Sequence, residues 1–287
     1  MARILKGAPV AADIDEDTTK RAASLKAKGI VPTLAILRAG ERSDDVAYEK
    51  SAVKRCSEVD IAVRRVTLPE DVPAANFYNE LDKLNNDESI HGILMFLPLP
   101  SHLDSEKARH MLSPSKDVDG CTDGSLAGVF TGSDTGFPPC TAQSVMEMIR
   151  YYGIDTTGKK AAVIGRSLVI GRPVSMMLMQ KNATVTICHS RTQDIPSITK
   201  EADILIAATG QLESITPEYI SENQTVIDVG IGWSEEKQKL CGDVDFDNAE
   251  PIVSAISPVP GGVGRLTTSV LVSHVVTSAE RMANHGG

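Results

Sequence analysis

No CxxC pair and no Cys/His ligand spacing occurs in this chain of 287 residues. Its five cysteines (Cys56, Cys121, Cys140, Cys188 and Cys241) are odd in number and scattered. That argues against a disulfide framework or a zinc site and for reduced thiols, so no metal is expected. Positive charge is also short. A formal net charge of −9 excludes a broad basic surface for nucleic acid or membrane, although an anionic ligand needs only a local patch. No apolar run reaches the length of a membrane span. The opening residues, MARILKGAPVAADIDED, turn acidic early and do not read as a signal peptide, so a cytoplasmic protein is expected. Neither a repeat nor a low-complexity segment is present. What remains is 41% hydrophobic content, ordinary for a globular protein, in a chain long enough for two lobes.

The chain alternates. PTLAILR (32–38) reads as a strand, 44–58 as a helix, IAVRRVTL (61–68) as a strand and 73–87 as a helix. HGILMFLPLP (91–100) reads as a buried strand ending in two prolines. Residues 113–140 are rich in Gly, Ser, Asp and Pro and read as a loop or lobe connection. Strands then recur at 159–165, 183–189, 202–210 and 225–231, with helices at 171–182 and 193–201. An irregular stretch, 257–266, precedes a last helix over 267–284. Such alternation predicts βαβ units, two α/β lobes and ligands at the carboxyl ends of strands.

VIGRSLVIGRP (163–173) takes a strand through a glycine loop into a helix. Free N–H groups and the positive end of the helix dipole there suit a phosphate. The spacing is GxxxxxG, not GxGxxG, so alone it also fits a plain strand-to-helix turn. The next strand ends in CHSRT (188–192). In a Rossmann-type lobe this end lies beside the adenosine ribose, where an acid favours NAD and basic or hydroxyl groups accept a 2′-phosphate. Ser190, Arg191 and Thr192, with Arg166 from the first loop, favour NADP. The rival reading of the arginines is a solvated basic edge.

KDVDG (116–120), PCT (139–141), GRSLVIGRP (165–173), DVGI (228–231) and PVPGGVG (258–264) follow in that order, with Tyr48 and LPLP (97–100) upstream. Together they resemble the bifunctional methylenetetrahydrofolate dehydrogenase/cyclohydrolase family over nearly the whole chain. The resemblance implies a folate-binding catalytic domain over 1–140 and 267–287, the last helix returning to the first lobe. It implies a Rossmann-type NADP-binding domain over 141–266, with a cleft between the lobes. It further implies a tetrahydrofolate one-carbon substrate and a cytosolic homodimer. Tyr48 and Asp119 are then the catalytic-site pair, Tyr48 against the folate and Asp119 on its pterin ring. Leu97, Pro98, Pro260, Gly261 and Gly262 complete the substrate site. Gly165, Arg166, Ser167, Ser190, Arg191 and Ile231 hold the cofactor. Each has a bland rival: Asp119 a DG turn, Tyr48 a core ring, Ile231 a strand end. His102 and His189 form no triad.

Two departures from the family pattern matter. The family reads YVxxKxK where this chain has Tyr48, Glu49, Lys50, Ser51, Ala52, Val53 and Lys54. The lysine credited with acid–base work in the cyclohydrolase step is matched by Ala52. At roughly 100° per residue, position 52 shares the face of Tyr48, while Lys50 and Lys54 fall on the far side. The family also reads ILVQLPLP where this chain reads ILMFLPLP, so Phe96 replaces a glutamine. Smaller departures are Ala142 after PCT, Ser257 before PVPGG and Arg265 where the family has proline. Hydride transfer from the carbon bridging two folate nitrogens moves no proton and needs positioning. Hydrolysis of the methenyl cation is acid–base work, worth roughly 10²–10⁴-fold when a group is well placed. The expectation is therefore an NADP-dependent dehydrogenase with weak or absent cyclohydrolase activity. The alternatives are a fully bifunctional enzyme, a non-catalytic folate or nucleotide sensor, and a different dehydrogenase sharing the cofactor lobe.

Overall fold

The computed structural model describes residues 1–285. In chain order the elements are β1 (Arg3–Ile4), α1 (Gly7–Ala27), β2 (Thr33–Ala39), α2 (Ser43–Glu58), β3 (Ala62–Leu68), α3 (Ala74–Asn86), β4 (Gly92–Met95), α4 (Ser105–Met111), α5 (Asp123–Thr131) and α6 (Cys140–Tyr152). There follow β5 (Lys160–Ile164), α7 (Gly171–Gln180), β6 (Thr184–Cys188), α8 (Ile195–Lys200), β7 (Ile204–Ala207) and β8 (Thr225–Asp228). A hairpin of β9 (Gly232–Ser234) and β10 (Lys239–Cys241), then α9 (Phe246–Ala249), β11 (Ala255–Ile256) and α10 (Thr267–His285), complete the chain.

Two compact units result. One holds Asp13–Cys140 and the chain from Thr268 onward; the other holds Met1–Ala12 and Thr141–Thr267. The expected domain boundary kept 1–140 together. Instead Met1–Ala12 join the later segment, because β1 pairs in parallel with β11 through Arg3↔Ala255 and Ile4↔Ile256.

The first unit has a three-stranded parallel sheet in the order β3-β2-β4. The chain goes from β2 to one neighbour, then returns to the other side, so the order reverses beside β2. Ligand sites form outside strand ends at such a reversal. β2 and β4 are apolar and buried on both faces, from Leu34 to Leu37 and from Ile93 to Met95. α3 lays Phe77, Leu81 and Leu84 against this sheet, and each is buried almost completely. Burial of that kind is worth about 1.5–3 kcal/mol per side chain. The strand expected over 91–100 stops at Met95, and the chain turns through a cis Leu97–Pro98 bond. Within the expected loop 113–140 lies α5. Thr122 caps it, its Oγ1 accepting from Ser125 N at 3.1 Å, and Gly132 ends it in the left-handed region at φ 73°.

The second unit has a six-stranded parallel sheet, β1-β11-β8-β7-β5-β6. Here the order reverses beside β5, the strand leading into the glycine loop. Among the described residues no helix is long and apolar enough to cross a membrane.

Candidate active site

α2 follows β2 directly and buries Asp45, Glu49, Ala52 and Cys56, a stripe at helical spacing. Glu49 is held from below. Its Oε2 lies 2.8 Å from Arg38 Nε on β2 and its Oε1 3.5 Å from Arg65 Nε on β3. Arg38 also donates to the Gly40 carbonyl. The helix is therefore pinned by ions to both strands, which fixes the adjoining face that carries Tyr48. The half-buried Tyr48 ring meets Phe96 edge to face, with centroids 6.1 Å apart at 85°. Ala52 is fully buried. Lys50 and Lys54 are exposed, and Lys54 Nζ lies 3.8 Å from Glu58. Beside Phe96, Leu97 is half-buried and Pro98 exposed. Arg42 Nη1 donates to the Pro98 carbonyl at 3.2 Å, joining the start of α2 to the turn after β4.

KDVDG lies alongside β4, bridged in parallel through Ile93↔Asp117. Its charged residues divide by role. Lys116 is buried and donates to the carbonyls of Asp87 (2.7 Å) and Leu84 (3.2 Å). Asp117 accepts from Cys121 N, Thr122 N and Ser125 Oγ at 3.1, 2.8 and 2.7 Å, which spends its carboxylate on the local turn. Gly120 has φ +70°, and a Cβ there would lie 2.4 Å from Pro139 N, so FPPC packs directly on the loop. Asp119 is the acid left for a ligand. Some of its surface reaches solvent, yet burial pushes its carboxyl up to about 7. The Cys140 thiol opposes that rise, and the Asp117 charge adds to it. Burial also raises the thiols of Cys121 and Cys140.

In the second unit, Gly165 directly follows β5, and its φ is +130°. A Cβ there would lie 2.2 Å from the Ala208 carbonyl, so the loop closes on the turn after β7 only with glycine. Gly165, Arg166, Ser167, His189, Ser190 and Tyr219 are among the residues lining a cavity of about 400 Å³ at these strand ends. Arg191 is exposed and does not line it; its N–H donates to His189 Nδ1 at 3.1 Å. Ile231 is 61% exposed, just before the β9–β10 hairpin. His102 has a structural role, its Nε2 2.9 Å from the Val72 carbonyl.

Two residues missed from sequence support this cavity. Asp243, fully buried, accepts from Thr209 N at 2.6 Å and Gly210 N at 3.0 Å, fixing the turn after β7. Asp228 of DVGI accepts from Gly230, Asp243 and Val244 N–H groups at 2.9, 3.1 and 2.9 Å. Burial pushes the Asp228 carboxyl up to about 7 against those bonds, with Asp243 adding repulsion. The readable signal was that Thr209, Gln211 and Ser214 lie at or just past the carboxyl end of a predicted strand. Ser257, a departure from the family pattern, accepts from Asp228 N at 2.8 Å and so fastens the end of β8. Pro260, Gly261 and Gly262 sit on the loop after β11, where Gly7 N donates to the Gly261 carbonyl at 2.7 Å. Arg265 is exposed. Among the described residues no group of three His, Cys, Asp or Glu side chains could hold a metal ion.

Residues 5–119 match the family model described as tetrahydrofolate dehydrogenase/cyclohydrolase, catalytic domain, and residues 139–283 match its NAD(P)-binding domain. A "Bifunctional protein FolD" of Carboxydothermus hydrogenoformans is 48% identical over 281 residues, covering 98% of each chain. The solved bifunctional FolD dehydrogenase/cyclohydrolase of Campylobacter jejuni superposes with TM-score 0.94 at 37% identity, over 98% of this chain and 99% of that one. The Trypanosoma brucei dehydrogenase-cyclohydrolase, solved with NADP cofactor and inhibitor, gives 0.90 at 34% identity over 98% of both.

Proposed function

The chain belongs to the tetrahydrofolate dehydrogenase/cyclohydrolase family, and from that membership we propose that it oxidises 5,10-methylenetetrahydrofolate to the 5,10-methenyl form with NADP, while hydrolysing the product weakly or not at all. The observation that carries the second half is Ala52, buried without a titratable atom on the face shared with Tyr48. Phe96 adds a hydrocarbon edge where the family pattern has an amide. No lysine nearby takes over: Lys50 and Lys54 face solvent, and Lys116 is spent on two carbonyls.

The residues present fit NADP. The cavity at the ends of β5, β6 and β7 has the volume of a small-ligand pocket and hydroxyl and guanidinium groups on its rim. NADP, when bound, supplies the acceptor for the hydride leaving the one-carbon bridge. Gly165 and Ser167 offer a close backbone approach to phosphates, and Arg166 and Ser190, which line the cavity, complement the 2′-phosphate, with Arg191 outside the lining. On the folate side Tyr48 lies against the ring system, Leu97 and Pro98 flank it, and Asp119 accepts from the pterin. Pro260, Gly261 and Gly262, on the loop after β11, are further substrate-binding residues on this reading, and Ile231 packs against the cofactor. Together these residues orient their ligands and exclude water, which suffices for hydride transfer.

Full bifunctionality is the second reading. It is favoured by the naming of the relatives and by Asp119, whose displacement to about 7 suits proton transfer. One experiment decides: NADPH and methenyl-tetrahydrofolate are followed together by absorbance. Growth of NADPH matched by lasting methenyl product is expected. Decay of added methenyl-tetrahydrofolate far beyond the buffer rate would overturn the monofunctional reading. The Ala52→Lys, Phe96→Gln variant should hasten that decay by at least about tenfold. A cytoplasmic homodimer belongs to the same reading, and sedimentation of the purified protein reads the assembly.

A further inference from the structure

His274 belongs to no motif, yet it is 8% exposed on α10 and points at the loop that carries Asp119. Its Nδ1 lies 2.9 Å from the Val118 carbonyl oxygen. A carbonyl only accepts, so Nδ1 carries the proton and donates. The ring is held by Phe137, with centroids 4.9 Å apart at 31°, and Arg281 covers Phe137 with its Cζ 4.6 Å from that centroid. Val118 itself cannot shift. A Cβ on Gly92 would lie 2.6 Å from one Val118 methyl and 3.0 Å from Val275, so strand, loop and helix are in close contact.

Cys140 Sγ lies 3.3 Å from the same Val118 oxygen and 3.9 Å from His274 Nδ1. Its thiol also bonds the Asp119 carboxyl. A thiol has one hydrogen, so these two acceptors compete for it. Val118 O has two lone pairs, but with one already taken by the imidazole N–H it is the weaker acceptor, and the thiol hydrogen goes to the carboxylate, the charged and stronger one.

We propose that His274 is a positioning residue for the reaction: by donating to the Val118 carbonyl it fixes the Val118–Asp119 peptide and commits the Cys140 thiol to Asp119, so that the carboxylate is aimed and ionised for the pterin. The proposal rests on the dehydrogenase reading for its substrate, but the hydrogen-bond relay stands on geometry within one unit. The groups bearing on Asp119 are Asp117 and Cys121 in its own loop, Cys140 at the start of α6 and His274 on α10. Arg109 of α4 acts on Cys121, and Arg281 lies over Phe137, donates to the Gly136 carbonyl at 2.9 Å and sits 3.9 Å from Asp134.

The test uses the full chain, ligand-free, with the Asp119 carboxyl band followed by infrared difference spectroscopy and assigned by its loss in Asp119→Asn. His274→Leu frees Val118 O and lets the thiol turn to it. The Asp119 midpoint should then rise by about half a unit to one unit, as for loss of a weak charge-assisted bond. Cys140→Ala should give the same rise, and the double variant no more than either alone. His274→Asn, whose Nδ2 is the same number of bonds from Cα as the lost Nδ1, should restore the wild-type midpoint. KM for methylenetetrahydrofolate below that midpoint should rise roughly three- to tenfold in the leucine variant, with KM for NADP unchanged. An unmoved midpoint, additive shifts, or failure of asparagine to restore would overturn the proposal. If the leucine variant does not fold, nitrogen-15 spectra of the wild-type protein decide: the Nδ1–H tautomer supports the relay and the Nε2–H tautomer overturns it. Midpoints that shift as stated in a protein that reduces no NADP would sink the dehydrogenase reading and leave the relay. NADPH formation with unmoved midpoints would do the reverse.

Discussion

Single side chains divide the chemistry here. Ala52 was legible in the sequence because a motif framed it, and helix spacing alone set Lys50 and Lys54 on the other side, where both are exposed. His274 and Asp243 were not legible: each acts through a backbone group distant in sequence, Val118 O and Thr209 N, and nothing local marks such a pairing. Arg166 lines the cavity beyond β5, whereas Arg191 stands outside the lining; on the proposed NADP reading Arg166 is the charge that reads the 2′-phosphate. A guanidinium bond to a phosphate is worth about 1.5–3 kcal/mol. Arg166→Gln should therefore raise KM for NADP roughly 10- to 100-fold while leaving the slow reaction with NAD nearly unchanged. Steady-state rates with both dinucleotides check this, and an equal loss with both would show that Arg166 does not read the 2′-phosphate.

Elements were read well where their apolar period was strong and poorly where small or polar residues carried it. β3, α3, β5, α7, β6 and β7 fall within their expected spans, and β2 and α2 each overrun theirs by one residue. α1 was missed because its buried stripe is Val10, Ile14, Thr18, Ala22 and Leu25, two of them small or hydroxylated. Thr18 satisfies its hydroxyl on the Ile14 carbonyl at 2.7 Å, which lets it lie buried without a polar partner elsewhere. Nor did the sequence mark the charge buried inside α2: Glu49 is 7% exposed against Arg38. Removing one member of a buried pair strands the other, at a cost of roughly 3–5 kcal/mol. Glu49→Ala should lose about that much stability and loosen the face that carries Tyr48. Arg38→Met with Glu49→Leu should recover most of it, since both charges leave together. Urea titrations of the three proteins measure the difference; a stable Glu49→Ala would mean the pair does not fasten α2.

At the scale of the whole chain, the motif series covered both units correctly, but the division of the chain was not readable at its start. β1 is two residues long, too short for any pattern, and it is pairing with β11 that carries the first twelve residues into the six-stranded unit. Each unit also holds an acid that desolvation lifts to about 7: Asp119 in the three-stranded unit and Asp228 in the six-stranded one. A carboxyl raised in the native state binds a proton there that the unfolded chain, near 3.9, has already released. Between about pH 4 and 7 the native state therefore holds more protons, and stability falls as pH rises, by up to about 1.4 kcal/mol per pH unit for each group. Below that window and above it the contribution is flat. Trp233, the chain's one tryptophan, lies in the six-stranded unit and is 53% exposed, so its fluorescence follows the unfolding of the unit that holds Asp228. Asp228→Asn should be less stable at every pH, because the amide turns an N–H toward backbone donors that the carboxylate had satisfied. Its stability should nevertheless lose the downward slope between pH 5 and 7 expected of the wild-type protein. Urea midpoints by tryptophan fluorescence across that range give both slopes. Parallel slopes would mean that Asp228 ionises in the folded protein as it does in the unfolded chain, and that its three N–H bonds outweigh its burial.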